Sequence, residues 1–107
     1  RIGTLAMIGG YSGINKDVPP YMLVRGPSIV RGLNLVGLRR AKIARESMMG
    51  IKEAFKLLYM SGLNTTQALQ EMDKLTPSEE LKVLIDFIKG SKRGICNYKS
   101  GTEDFFE

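Results

Sequence analysis

Arg1-Ile2-Gly3-Thr4-Leu5-Ala6-Met7-Ile8-Gly9-Gly10-Tyr11-Ser12-Gly13-Ile14-Asn15 decides how this chain is read. Ile2-Gly3, Ile8-Gly9 and Ile14-Asn15 recur six residues apart, and the small Ala6 and Ser12 sit two places before two of those isoleucines. A six-residue period with an aliphatic and a turn residue at fixed phase is the mark of a β-helix. Each coil stacks its aliphatic on the coil before, and glycine or asparagine fits where φ is positive. The same residues also fit an ordinary hairpin, with Gly9-Gly10 and Ser12-Gly13 as turns. Both readings stand at this point.

Working outward, Val18-Pro19-Pro20-Tyr21 is expected to end the regular ladder, because two prolines remove two donors. Met22-Leu23-Val24 reads as one short strand, and Gly26-Pro27 as the next turn. Asn34, Gly37, Leu38, Arg39 and Arg40 read as a loop. Most of the twelve glycines and three of the four prolines fall before residue 41. The rest, up to about residue 90, reads as helix.

A long helix is expected over roughly 44–61, with Met48, Ile51, Phe55 and Leu58 on its buried face. Lys52 and Lys56 fall on its solvated side, and Lys42 is read as solvated too. Ala44 is a weak cap at its start, and Gly62 suits the left-handed residue after its end. A second helix begins at Asn64, which has capping-box spacing to Gln67; Leu69, Met72 and Leu75 give its apolar side. A third begins at Thr76-Pro77, with Leu81, Leu84, Ile85 and Ile88 as its stripe and Gly90 at its end. The organisation expected is 1–40 as β-helix end with a connecting loop, 41–95 as a helical domain, and 96–107 as a polar tail.

The bulk numbers narrow the chemistry. The chain has 107 residues, enough for one small domain, and 43% of them are hydrophobic. No apolar run reaches the ~20 residues that span a bilayer, so no membrane insertion is expected. The first ten residues do not resemble a secretory signal. The one cysteine, Cys96, precludes an internal disulfide, which favours a cytoplasmic location. The net charge of +5 favours an acidic or phosphorylated partner. Lysines and arginines are scattered without an aromatic-rich basic motif, which speaks against nucleic acid. The chain contains no histidine, so it holds no His-based general base and no His-ligated metal.

Read together, certain motifs carry a resemblance. Met7-Ile8-Gly9-Gly10, Asp17-Val18-Pro19-Pro20-Tyr21, Gly32-Leu33-Asn34, Gly37-Leu38-Arg39-Arg40, Tyr59-Met60-Ser61-Gly62 and Ser91-Lys92-Arg93-Gly94-Ile95 resemble, in this order, the C-terminal half of the UDP-N-acetylglucosamine acyltransferases. The resemblance runs from residue 1 to about residue 95. It implies the last coils of a left-handed hexapeptide β-helix followed by a three-helix domain. It implies transfer of an R-3-hydroxyacyl chain from acyl carrier protein to the 3-OH of UDP-N-acetylglucosamine, the first step of lipid A synthesis. It further implies a homotrimer, no metal or organic cofactor, and a catalytic histidine on a coil before Arg1. The chain is therefore expected to be a piece of a longer enzyme and inactive alone.

The same resemblance assigns residues. Asn34 and Arg40 match positions that contact the nucleotide sugar, an amide for sugar or base edges and a guanidinium for phosphate. Arg39 and Arg40 fall in the basic region expected to meet acyl carrier protein. Gly10 matches the position that limits acyl-chain length, and Met7 matches a wall of the acyl groove. Plainer readings stand beside these: a turn glycine for Gly10, a loop cap for Asn34, a solvated charge for Arg40. The sequence departs from the family at Val36, where glutamate is frequent, at Ala41, where arginine is frequent, and at Ala44, where a serine usually caps the helix. Two alternatives remain open: another hexapeptide-repeat acyltransferase with an amine acceptor, and a small basic binding module without catalysis.

Overall fold

In the computed structural model, which describes residues 1–9, 14–26, 28–92 and 94–98, the chain begins with two stacked coils. Strand β1 (Met7–Ile8) runs parallel to β2 (Met22–Arg25), with Met7 opposite Leu23 and Ile8 opposite Val24. Ile2 bridges Val18, also in parallel. Every partner lies sixteen residues further on, so one coil separates them. Backbone bonds of 2.7–2.8 Å join the coils, from Gly3 N to Val18 O, Val18 N to Arg1 O, Tyr21 N to Thr4 O and Gly9 N to Val24 O. Leu5 (φ 55°) and Tyr21 (φ 70°), again one coil apart, turn matching corners in the left-handed region. That conformation is uncommon for a side chain of this size. Its repetition at the same phase shows that coil closure imposes it.

Pro19 and Pro20 do not end the ladder as expected. Both are buried inside the second coil. Val18 before them and Tyr21 after them still donate to the first coil, so the ladder spans the two residues that lack an N–H. What ends the parallel stack is a reversal. Strand β3 (Ile29–Leu33) pairs antiparallel with β2, Met22 opposite Leu33 and Arg25 opposite Ile29, with a bulge at Leu23/Val24. Gly26 (φ 65°) lies in the intervening turn.

Asn97 and Tyr98, expected in a polar tail, belong to the sheet. Strand β4 (Asn97–Tyr98) runs parallel to β3, with Asn97 opposite Ile29 and Tyr98 opposite Val30. Just before it, Ile95 bridges Asp17. Asp17 N donates to Gly94 O and Cys96 N donates to Asp17 O, both at 2.9 Å. The Asp17 side chain is buried and accepts from Ser91 Oγ at 2.7 Å. A carboxylate in that setting needs such donors.

Among the described residues four helices lie between β3 and β4, one more than expected. Helix α1 (Leu35–Arg40) replaces the predicted loop. Helix α2 (Arg45–Tyr59) buries Ile51, Ala54, Phe55 and Leu58, and Ala44 makes no side-chain cap. Gly62 (φ 79°) follows it in the left-handed region. Helix α3 (Thr65–Met72) starts with the full Asn64/Gln67 capping box. Helix α4 (Glu79–Gly90) buries Leu81, Leu84, Ile85 and Ile88, but its cap is Ser78, not Thr76. Ser78 Oγ accepts from Leu81 N at 3.1 Å, and Pro77 falls outside the helix. The residue before a proline is pushed to an extended conformation, so Thr76 leads in and Ser78 caps.

One apolar core joins coils and helices: Val18, Met22, Val24 and Val30 belong to the same buried cluster as Leu38, Phe55 and Leu84. Tyr21 Oη donates to Glu80 O at 2.8 Å, and Tyr59 Oη to Cys96 O at 2.7 Å. Phe55 meets Tyr98 edge-on, with ring centroids 5.4 Å apart. The core therefore crosses residue 40.

Candidate substrate-binding surface

Helix α1 carries the residues of interest, and its own sequence explains it. Asn34 Oδ1 accepts from Gly37 N at 3.1 Å, capping the first turn. Leu35 and Leu38 are buried and pin one side to the core. Gly37 is disfavoured inside a helix, but a Cβ there would lie 2.3 Å from Asn34 Nδ2. The missing side chain makes room for the capping amide.

Arg39 and Arg40 fall in the last turn of α1, both exposed, where the negative end of the helix dipole favours cations. Lys42 (φ 55°) and Arg45 follow, also exposed. Among the described residues none of these four cations is in an ion pair. The result is a strip of positive charge over 39–45. Sequence reading had found its first half and set Lys42 aside; the signal for the whole strip was four cations within seven residues. Val36 is 54% exposed on the same short helix.

Asn34 is only partly buried, and both ends of its amide are engaged: Oδ1 by Gly37 N, and Nδ2 by Leu5 O at 2.9 Å. Met7 is 51% exposed on β1. Gly10, assigned to chain-length control, lies outside the described residues. The neighbouring Gly9 is already close to its surroundings, since a Cβ there would meet Arg25 Cγ at 3.0 Å. Tyr21 and Tyr59 carry phenols that are harder to ionise than a free tyrosine. Burial, aided by Glu80 and Glu79, pushes Tyr21 up to about 12. Burial and then Cys96 raise Tyr59. Both serve the core and not the basic strip. An open groove of about 570 Å³ at the α3–α4 junction, lined by Met72, Leu75, Pro77, Leu81 and Ile85 among others, contains none of the candidate residues. Among the described residues no group of His, Cys, Asp and Glu could hold a metal ion, and no helix is long and apolar enough to cross a membrane.

Residues 17–96 match the family described as Udp N-acetylglucosamine O-acyltransferase, domain 2. The acyl-[acyl-carrier-protein]–UDP-N-acetylglucosamine O-acyltransferase of Rippkaea orientalis is 46% identical over 86 residues, which cover 79% of this chain and 31% of the relative. Its counterpart from Syntrophobacter fumaroxidans is 41% identical over 96 residues, 87% of this chain and 37% of the relative. Among solved structures, LpxA from Acinetobacter baumannii superposes with a TM-score of 0.83 at 38% identity, over 90% of this chain and 38% of that one. UDP-N-acetylglucosamine acyltransferase from Campylobacter jejuni gives a TM-score of 0.81 at 32% identity, over 92% and 38%. The chain thus spans about a third of the length of these curated relatives. The expected fold class holds: coils of a left-handed β-helix, then helices. On the match over residues 17–96, the chain belongs to the UDP-N-acetylglucosamine O-acyltransferase family.

Proposed function

We propose that the whole protein transfers an R-3-hydroxyacyl chain from acyl carrier protein to the 3-OH of UDP-N-acetylglucosamine, the first step of lipid A synthesis. The family match over residues 17–96 carries this reading, and the names of the relatives support it. The chain has no histidine, so its share of the reaction is binding, with the general base supplied from elsewhere in the whole protein. Arg40 holds the diphosphate of the nucleotide sugar through its guanidinium fork. Arg39, with Lys42 and Arg45 beside it, attracts acidic acyl carrier protein, where charge mainly speeds encounter. Asn34 stands at the foot of the helix that carries both arginines. Met7 and Gly10 line the acyl groove. The assembly is a homotrimer working in the cytoplasm, without metal or organic cofactor.

The test is an acyl-transfer assay on the full-length protein, with R-3-hydroxyacyl carrier protein as donor. UDP-N-acetylglucosamine and its 3-amino analogue are the two acceptors. Product from the hydroxyl acceptor is expected. Product from the amine alone would move the protein to a different acceptor class. Arg40→Ala should raise KM for the nucleotide sugar by about 10- to 100-fold, the usual worth of a charged hydrogen bond. An unchanged KM would remove Arg40 from the site. Sedimentation of the full-length protein tests the trimer; a monomer that retains activity would refute it.

A further inference from the structure

The two stacked corners of the coils, Leu5 and Tyr21, both end their hydrogen bonding on one residue. Asn34 N donates to Tyr21 O at 2.7 Å, and Asn34 Nδ2 donates to Leu5 O at 2.9 Å. Its Oδ1 and its own carbonyl then hold the first turn of α1, through Gly37 N at 3.1 Å and Leu38 N at 3.0 Å. One residue thus binds two successive coils on one side and a helix on the other. The corners have few other forms available, since both sit at positive φ and coil closure fixes them. The helix is only six residues long, too short to be stable without such support. It nevertheless carries Arg39 and Arg40 on its last turn.

We propose that Asn34 is a positioning residue: it mounts α1 on the paired corners and so fixes where Arg39 and Arg40 present their charge. This rests on the reading of those arginines as the anion-binding groups of the transferase. A guanidinium acts on a diphosphate only where its fork is aimed. A short helix free to pivot on Leu35 and Leu38 would spread that aim. Gly37 belongs to the same device, because any side chain there would collide with the Asn34 amide.

Asn34→Ser is the informative change in the full-length enzyme. Serine keeps an oxygen able to cap Gly37 N but has no N–H to reach Leu5. Asn34→Asp, nearly the same shape with the donor removed, runs beside it in case serine fails to fold. Three readouts are taken: steady-state kinetics with UDP-N-acetylglucosamine, the same kinetics in an Arg39→Ala/Arg40→Ala background, and amide hydrogen exchange along α1. The expected result is a rise in KM of about 5- to 20-fold, with kcat within about twofold and no further rise once both arginines are gone; such non-additivity marks residues acting as one unit. Exchange at residues 38–40 should quicken while α2 and α4 keep their protection. Effects that multiply in the combined variant would overturn the proposal and make Asn34 an independent ligand contact. Unchanged exchange along α1 would overturn it as well. If the parent enzyme makes no product from UDP-N-acetylglucosamine, the proposed function fails, and the exchange experiment alone still decides whether Asn34 holds the helix.

Discussion

The coils and the helices of this chain are held together by different means. In the helices the structure rests on large side chains: Ile51, Phe55, Leu84 and Met72 are fully buried, and short caps close the ends. In the coils it rests on backbone bonds at a fixed offset of one coil and on places where a side chain is missing or the backbone is turned to positive φ. The first kind of order tolerates local shifts and suffers from lost volume. The second tolerates little added volume, because its contacts are between backbones.

Removing volume from the helices should have the largest effect. Phe55 is fully buried and packs on Tyr59 and Tyr98. Phe55→Ala is expected to cost about 3–5 kcal/mol, read from urea unfolding. Because Tyr98 belongs to β4, the loss should also release that strand, seen as faster exchange at Asn97 and Tyr98. A cost under about 1 kcal/mol would mean that α2 is not tied to the sheet through this cluster.

Adding a single methyl to the coils should come next. A Cβ on Gly3 would lie 2.3 Å from Pro20 N and 2.5 Å from Pro20 Cδ. These atoms belong to the backbone and a ring, so they cannot swing aside. Gly3→Ala is expected to cost about 1–3 kcal/mol, with disrupted pairing between the coils. Gly50, on α2, is the control: a Cβ there has nothing within 4 Å. Gly50→Ala should therefore stabilise by about 0.5–1 kcal/mol through helix propensity alone. If the two glycines respond alike, the contrast between coil and helix is broken.

The two regions meet at Tyr21, which gives a pH test. Its phenol donates to Glu80 O, and burial with Glu80 and Glu79 nearby pushes its pKa up to about 12. An unfolded tyrosine titrates near 10. Between pH 10 and about 12 the unfolded chain therefore releases a proton that the folded chain keeps. Stability falls with pH across that window. Tyr59, also raised, adds in the same direction. Tyr21→Phe should cost about 1 kcal/mol at pH 7 by removing the phenol's hydrogen bond to Glu80 O. It should also make the alkaline decline shallower. An equally steep decline would assign the alkaline sensitivity to groups other than Tyr21.

The same contrast explains what could be read from the sequence. The stripes of α2 and α4 repeat every three to four residues, and Gly62 and the Asn64/Gln67 box mark their ends locally. The six-residue recurrence of Ile2, Ile8 and Ile14 was equally visible. The closure of the coils was not. Asp17 meets Ile95 and Ile29 meets Asn97 across most of the chain, and nothing within a few residues of either partner announces the pairing. Pro19-Pro20 misled for a related reason: a missing N–H breaks a ladder only where a donor is needed, and here the donors are Val18 and Tyr21. In the site, Arg39 and Arg40 stood out by charge. Helix α1 did not, because Gly37 signals a turn unless its contact with Asn34 is known. That contact depends in turn on Leu5, twenty-nine residues upstream.

The smallest expected effect is a gain at the seam between the basic strip and the helices. Ala44 caps α2 with φ −59° and ψ 148° and makes no side-chain hydrogen bond. That backbone is already extended, as a capping serine requires, so Ala44→Ser needs no rearrangement. Its hydroxyl could accept from the N–H of Ser47, one of the donors a helix start leaves unpaired. The gain should be about 0.5–1 kcal/mol, visible as a higher thermal midpoint. Arg45, the first residue of α2, should then be held more firmly beside Arg39, Arg40 and Lys42. If the strip serves encounter with an acidic carrier protein, the association rate and its salt dependence should stay nearly constant, because steering depends on the sum of charges more than on their exact placement. A changed rate with unchanged stability would point instead to a specific contact made by the start of α2.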